Sequence, residues 1–285
     1  MRVELRLATT APYDGDGVLR WLGARLVRGV EELAGGVYRR TLRLPGGPAV
    51  AALAPEADGG VRATLRRADP ADEPAAVAAC RALLDLDAEP EAHNAVLRGD
   101  PALAPLVAAR PGLRAPGTVD PAETAVRAVL GQQVSLAAAR TLAARLVAAC
   151  GTPLHEPDGA LTHAFPSPAA IAAPGTVEAI GMPAARQRTL RELCRRLADG
   201  SIVLRPGAVA RDALLDVPGI GPWTADYVAL RALGDPDAFP AGDLGLRRAA
   251  RALGLPDGAA ALEARAERWR PWRRYAAQHL WAAGA

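Results

Sequence analysis

One segment constrains this chain more than any other: Leu214-Leu215-Asp216-Val217-Pro218-Gly219-Ile220-Gly221-Pro222-Trp223-Thr224-Ala225. A helix must end before Pro218, because Pro-Gly-Ile-Gly cannot continue it. A second helix starts at Pro222, where proline sits at the first helical position without losing a needed hydrogen bond. Glycines between the two allow positive φ and close approach of a ligand to the backbone. The free N–H groups of the second helix can hold a phosphate oxygen without reading sequence. The pattern is that of a helix–hairpin–helix, a clamp for a DNA backbone; the plainer reading is a helical hairpin that only packs.

Organisation along the chain follows from periodicity. Val3, Leu5 and Leu7 alternate as in a half-buried strand. Residues 37–44 and 49–54 are strand-like and joined by Pro45-Gly46-Gly47-Pro48, and a further run spans Val61 to Leu65. Helical stretches near 17–29 and 71–86 flank these strands, which predicts an α+β domain over 1–94 built on an antiparallel sheet. Beyond residue 95 the pattern turns helical. Asp120-Pro121-Ala122-Glu123 has the form of a capping box. Its helix breaks at Gly131-Gln132-Gln133-Val134-Ser135, and Ser135 caps the next, which runs to Cys150. Further helices are expected near 167–173, 184–198 and 209–216.

At 285 residues, with 50% hydrophobic and 23% charged positions, the chain has length for two or three small domains. No apolar run reaches the roughly 18 residues of a membrane span, and the N-terminus lacks a signal-peptide core. No membrane partner and a cytoplasmic location are expected. The net charge of +3 permits nucleic-acid binding without demanding it. All 34 basic residues are arginine, so no side-chain amine exists to form a Schiff base. Cys80, Cys150 and Cys194 fit neither a zinc motif nor an iron–sulfur loop, and buried thiols are expected.

Twenty-two residues beyond Gly221 stands Asp243, in Phe239-Pro240-Ala241-Gly242-Asp243-Leu244. Alone, it reads as the N-cap of a helix through Leu246 and Arg251. After a hairpin clamp it also reads as a catalytic carboxylate, because a helix N-terminus favours the ionised form. Of 5 Trp, 4 Tyr and 2 Phe, seven lie after residue 222. Trp223 and Tyr227, four apart on one helix, share a face; Trp269 and Trp272 read as core. Asp226 is the rival acid, read as solvated or bonded within the hairpin. His93, His155, His163 and His279 have no triad or metal spacing.

A hairpin followed at this spacing by a Gly/Pro-rich loop and an aspartate resembles the helix–hairpin–helix DNA glycosylase superfamily. Val126 to Ser135 (VRAVLGQQVS), Ala11-Pro12-Tyr13-Asp14, and Trp272-Arg273-Arg274-Tyr275 through His279-Leu280-Trp281 narrow the resemblance to the bacterial 3-methyladenine DNA glycosylase II family. The resemblance runs in order over essentially the whole chain. It implies the α+β domain at 1–94 and two all-helical domains with the active site in the cleft between them. One covers 119–235 and contains the helix–hairpin–helix at about 209–233; the other is made of 95–118 with 236–285. It also implies Asp243 as the catalytic carboxylate and Trp223, Tyr227, Trp281 and Trp21 as the base pocket. Val217, Gly219, Ile220, Gly221 and Thr224 would contact DNA, and some members bind a monovalent cation (Na+ or K+) on hairpin carbonyls, here those of Val217 and Gly219. Gln133 stands where a relative places an apolar wedge. No other cofactor and no iron–sulfur cluster are implied. The partner would be duplex DNA with alkylated bases, met by a monomer on the nucleoid.

The activity implied is that of a monofunctional glycosylase. A lyase-active relative places its lysine immediately after the hairpin, at the position of Trp223. Cationic purines such as 3-methyladenine and 7-methylguanine leave without protonation, so one carboxylate suffices where most glycosidases need two. Electron-rich rings would favour such bases by roughly 0.5–2 kcal/mol per contact. The alternative is a catalytically inactive helix–hairpin–helix protein that binds damaged DNA; an unrelated helical binding protein is a third reading.

Overall fold

The computed structural model describes residues 1–66, 69–205 and 210–284. Strands β1 (Arg2–Leu7), β2 (Glu31–Ala34), β3 (Val37–Leu44), β4 (Gly47–Pro55) and β5 (Val61–Arg66) form an antiparallel sheet in the order β1-β5-β4-β3-β2. Helix α1 (Gly15–Gly23) ends well before the expected residue 29, and the chain turns so that Val27 and Val30 enter the helical core. Together α1 and α2 (Glu73–Leu84) close a core of Val18, Leu19, Tyr38, Leu53, Leu65 and Leu83. β2 is a strand the sequence does not announce. Its Glu31-Glu32 reads as surface, yet Glu31 is buried.

The helical part runs through α3 (Pro90–Leu97), α4 (Ala104–Ala109), α5 (Pro121–Leu130) and α6 (Leu136–Cys150). After a β-hairpin come α7 (Pro168–Ala172), α8 (Ala184–Ala198), α9 (Arg211–Leu215), α10 (Pro222–Ala232), α11 (Leu244–Ala252), α12 (Ala259–Ala266) and α13 (Arg273–Ala283). Residue 209, at the expected start of α9, lies outside the described residues. One continuous apolar core extends from Val27 to Leu280 through these helices.

Two expectations need correction. The stretch 119–235 is not all helical: β6 (Thr152–Asp158) and β7 (Leu161–Ala164) pair antiparallel. The hairpin lies against β3 and β4, and Asp158 pairs with Arg39 and Arg66. Pro153 and Pro157 hide β6 from a pattern reading, since proline is confined to edges and bulges. The capping box is half formed. Asp120 accepts from the N–H groups of Ala122 (2.9 Å) and Glu123 (3.4 Å). Glu123 does not reach back; it turns inward and takes Arg40 at 2.7 Å and Arg127 at 2.9 Å.

That inward turn builds a buried ionic cluster between the sheet and α5. Glu31 accepts from Tyr38 Oη (2.6 Å), Val27 N (2.8 Å), Arg40 (3.2 Å) and Arg127 (3.1 Å). Burial pushes its carboxyl upward, but Arg127 and Arg40 outweigh this and hold it below its ordinary value. Removing one partner of such a group costs about 3–5 kcal/mol. Elsewhere, buried Asp100 accepts from Trp269 Nε1 and pairs with Arg265, both at 2.6 Å, tying the 95–118 segment to the C-terminal helices. On these contacts we propose that 95–118 and 236–285 form one body and 119–235 another.

Candidate active site

Helices α9 and α10 form the hairpin. Gly219 takes φ +89°, and a side chain there would meet Thr189 Oγ1 at 2.1 Å. Thr189 uses that hydroxyl to donate to Pro218 O at 2.8 Å, so the turn is fastened to α8. Gly221 has φ −101° and open space where a Cβ would be. Only Gly219, then, is glycine for conformational reasons; Gly221 leaves the backbone bare. With Pro222 at the first helical position and no side-chain cap, the first N–H groups of α10 have no intrahelical acceptor. The side chains of Val217, Ile220 and Thr224 are buried, so these residues can offer a ligand main-chain atoms only.

Gln133, by contrast, is exposed and left-handed at φ +54°. Its neighbour Gln132, which the sequence reading passed over, donates from Nε2 to Gly219 O and Thr224 Oγ1, both at 3.0 Å. The Gln133 loop and the hairpin are therefore one bonded unit.

Asp243 is the N-cap of α11 and accepts three N–H groups. Oδ1 takes Leu246 N and Trp281 Nε1, each at 2.9 Å; Oδ2 takes Trp223 Nε1, also at 2.9 Å. The carboxylate is fixed in place in the wall of a cavity of about 340 Å³ between α1, α5, α6, α10, α11 and α13. Trp21, Trp223, Tyr227 and Trp281 all line it. Trp223 stacks on Tyr227 with centroids 5.5 Å apart; Tyr227 meets Trp281 edge-on at 6.3 Å, and Trp281 meets Trp21 at 5.4 Å. Gly245 keeps the carboxylate accessible, since a Cβ there would stand 3.0 Å from Asp243 Oδ1 and 3.3 Å from Trp281. Asp226 faces a different cleft and pairs with Arg211 at 2.6 Å. Trp269 is in the core and Trp272 packs against it.

Two guanidiniums in the cavity wall escaped the sequence reading. Arg25 sits 3.3 Å over the Trp21 ring and donates to Trp21 O at 3.1 Å. Arg231 lies against the rings of Trp21 and Trp281, and burial brings it down to about 9, with Tyr227 opposing. Neither has a local signal: Arg25 lies past the end of α1, and the rings against Arg231 are those of Trp21 and Trp281, distant in sequence. Burial also pushes the thiols of Cys80 and Cys194 up to about 12 and that of Cys150 up to about 11, so all three stay protonated at neutral pH. Among the described residues, no helix is long and apolar enough to cross a membrane, and no group of three or more His, Cys, Asp or Glu could hold a metal ion.

The hairpin thus leads through one helix into an aromatic cavity lined by a fixed carboxylate. Residues 126–274 match the HhH-GPD superfamily base excision DNA repair protein family, and residues 4–120 match the AlkA N-terminal domain. The chain belongs to the HhH-GPD superfamily. It is 54% identical over 284 residues to a Mycobacterium tuberculosis protein named probable bifunctional transcriptional activator/DNA repair enzyme AlkA, covering 98% of this chain and 56% of that one. The chain thus spans about half the length of that relative. Escherichia coli DNA-3-methyladenine glycosylase 2 is 37% identical over 277 residues, 95% of this chain and 94% of that protein. The solved 3-methyladenine DNA glycosylase of Archaeoglobus fulgidus superposes with a TM-score of 0.79 at 25% identity, covering 99% of this chain and 97% of that one.

Proposed function

We propose that this chain is a monofunctional DNA glycosylase that flips alkylated bases, of the 3-methyladenine and 7-methylguanine type, from duplex DNA and hydrolyses the N-glycosidic bond to leave an abasic site. The observation that carries this is Asp243, held by two indole N–H groups and a helix N-terminus in the wall of the aromatic cavity. Main-chain N–H groups of the hairpin would hold the phosphates, and Gln133 would fill the gap left by the flipped nucleotide. Flipping costs a few kcal/mol, which backbone contacts and stacking at about 1–3 kcal/mol per base offset. As the bond to a cationic base breaks, the sugar gains oxocarbenium character. Asp243, already oriented, stabilises that charge and directs or deprotonates the attacking water.

A monovalent cation on the hairpin fits the residues without being demanded by them. The carbonyls of Val217 and Gly219 each accept one hydrogen bond, from Ile220 N at 2.9 Å and Gln132 Nε2 at 3.0 Å. Each keeps a second lone pair, so a weakly held Na+ or K+ would tie DNA phosphate to the turn. The protein would act as a monomer in the cytoplasm, on nucleoid DNA, with no other cofactor.

The test is incubation with methylated duplex DNA. Release of free 3-methyladenine and 7-methylguanine, with the strand intact until alkali treatment, is expected. Tight binding to the same DNA with no base released would instead make the chain a damage-binding protein.

A further inference from the structure

The rings of the cavity are not bare. Arg231 is 3% exposed, and its guanidinium carbon lies 4.2 Å from the Trp21 centroid and 4.8 Å from that of Trp281. It is fixed there by two neutral acceptors, Pro116 O at 2.8 Å and Gln278 Oε1 at 2.6 Å. A cation is drawn to an indole by the negative face of the ring. One already seated against the ring offsets that field, and its own charge repels a second cation brought into the cavity. A cavity of unoccupied indoles would select strongly for positively charged bases; this one is built to select less.

We infer that Arg231 is a specificity-determining residue, whose buried guanidinium against Trp21 and Trp281 holds down the preference for cationic bases and so admits neutral lesion bases of the same shape. The inference rests on the glycosylase reading of the Asp243 cavity. Arg231 acts through the two rings and is a positioning residue in that sense. Arg25, over the Trp21 ring, adds charge of the same sign but is only half-buried.

The experiment compares single-turnover excision of 7-methylguanine, which is cationic, with that of hypoxanthine, which is neutral, in one duplex context. In Arg231→Met the cationic-to-neutral ratio should rise about tenfold over the parent. Gln278→Glu sets a carboxylate against the untouched guanidinium and should raise the ratio severalfold, so it decides the matter even where Arg231→Met does not fold. A purely structural Arg231 would lower both rates together; an unchanged ratio in folded Arg231→Met or in Gln278→Glu overturns the inference. A parent that releases neither base defeats the glycosylase reading, whereas a parent that releases both while the variants leave the ratio fixed defeats only the assignment of Arg231.

Discussion

Trp281 Nε1 lies 2.9 Å from Oδ1 of Asp243, so one aromatic wall of the cavity also holds the carboxylate in place. The two roles separate by substitution. Trp281→Phe keeps a π face and loses the donor; Trp281→Leu loses both. Excision of 7-methylguanine should fall about tenfold in the first and about a hundredfold in the second. Affinity for an abasic-site analogue should change far less, because it depends on the hairpin. Equal loss of excision and abasic binding in both variants would make Trp281 a core residue.

The hairpin glycines should behave differently from one another. Gly219→Ala forces a side chain into positive φ, at about 1–2 kcal/mol, and into Thr189. It should lower the thermal midpoint and weaken DNA binding together. Gly221→Ala meets no neighbour within 4 Å and should leave the midpoint unchanged while still weakening DNA binding. Unaltered DNA affinity in folded Gly221→Ala would remove this turn from the DNA interface.

Much of this was legible because the signals are local. Pro218 and Pro222 bracket the hairpin, Ser135 caps α6 through Ala138 N, and Val3, Leu5 and Leu7 alternate along β1. What stayed hidden depends on distant partners. Glu123 fits a capping box until Arg40, 83 positions away, claims it. The β6 strand has prolines because it is a short ribbon laid on another sheet. Arg231 is one arginine among 34, and only the rings folded around it distinguish it. Asp243 was readable as a cap and as a carboxylate, but its two indole donors come from helices 20 and 38 positions away in sequence.

Acid should destabilise the fold through two buried histidines. Burial, with His279 adding, brings His93 down to about 3, and burial brings His279 down to about 4. The unfolded chain takes up both protons below about pH 6.5, while the folded protein refuses them until pH reaches those lower values. Stability is therefore intact above pH 6.5 and is lost as pH falls toward 4 and then 3. At pH 5 the loss is on the order of 2 kcal/mol per histidine. Urea midpoints at pH 7 and 5 measure it, and His93→Leu should lose less than the parent by about that amount. Equal losses would contradict the assignment.

Because the chain has no lysine, borohydride should trap no enzyme–DNA adduct once the N-terminal amine is blocked, and abasic strands should stay intact until alkali. A stoichiometric trapped complex would show a nucleophile outside this account.

On the proposed mechanism the negative charge of Asp243 drives base loss. Asp243→Asn keeps an oxygen for Leu246 N–H, so α11 stays capped, although the new amide must face an indole N–H at about 1–3 kcal/mol. Single-turnover release of 7-methylguanine, measured beside affinity for an abasic analogue in the same folded variant, separates chemistry from binding. Affinity within about threefold of the parent and release slowed at least about a hundredfold are expected. Release near the parent rate would contradict that mechanism and move the chemistry to another group.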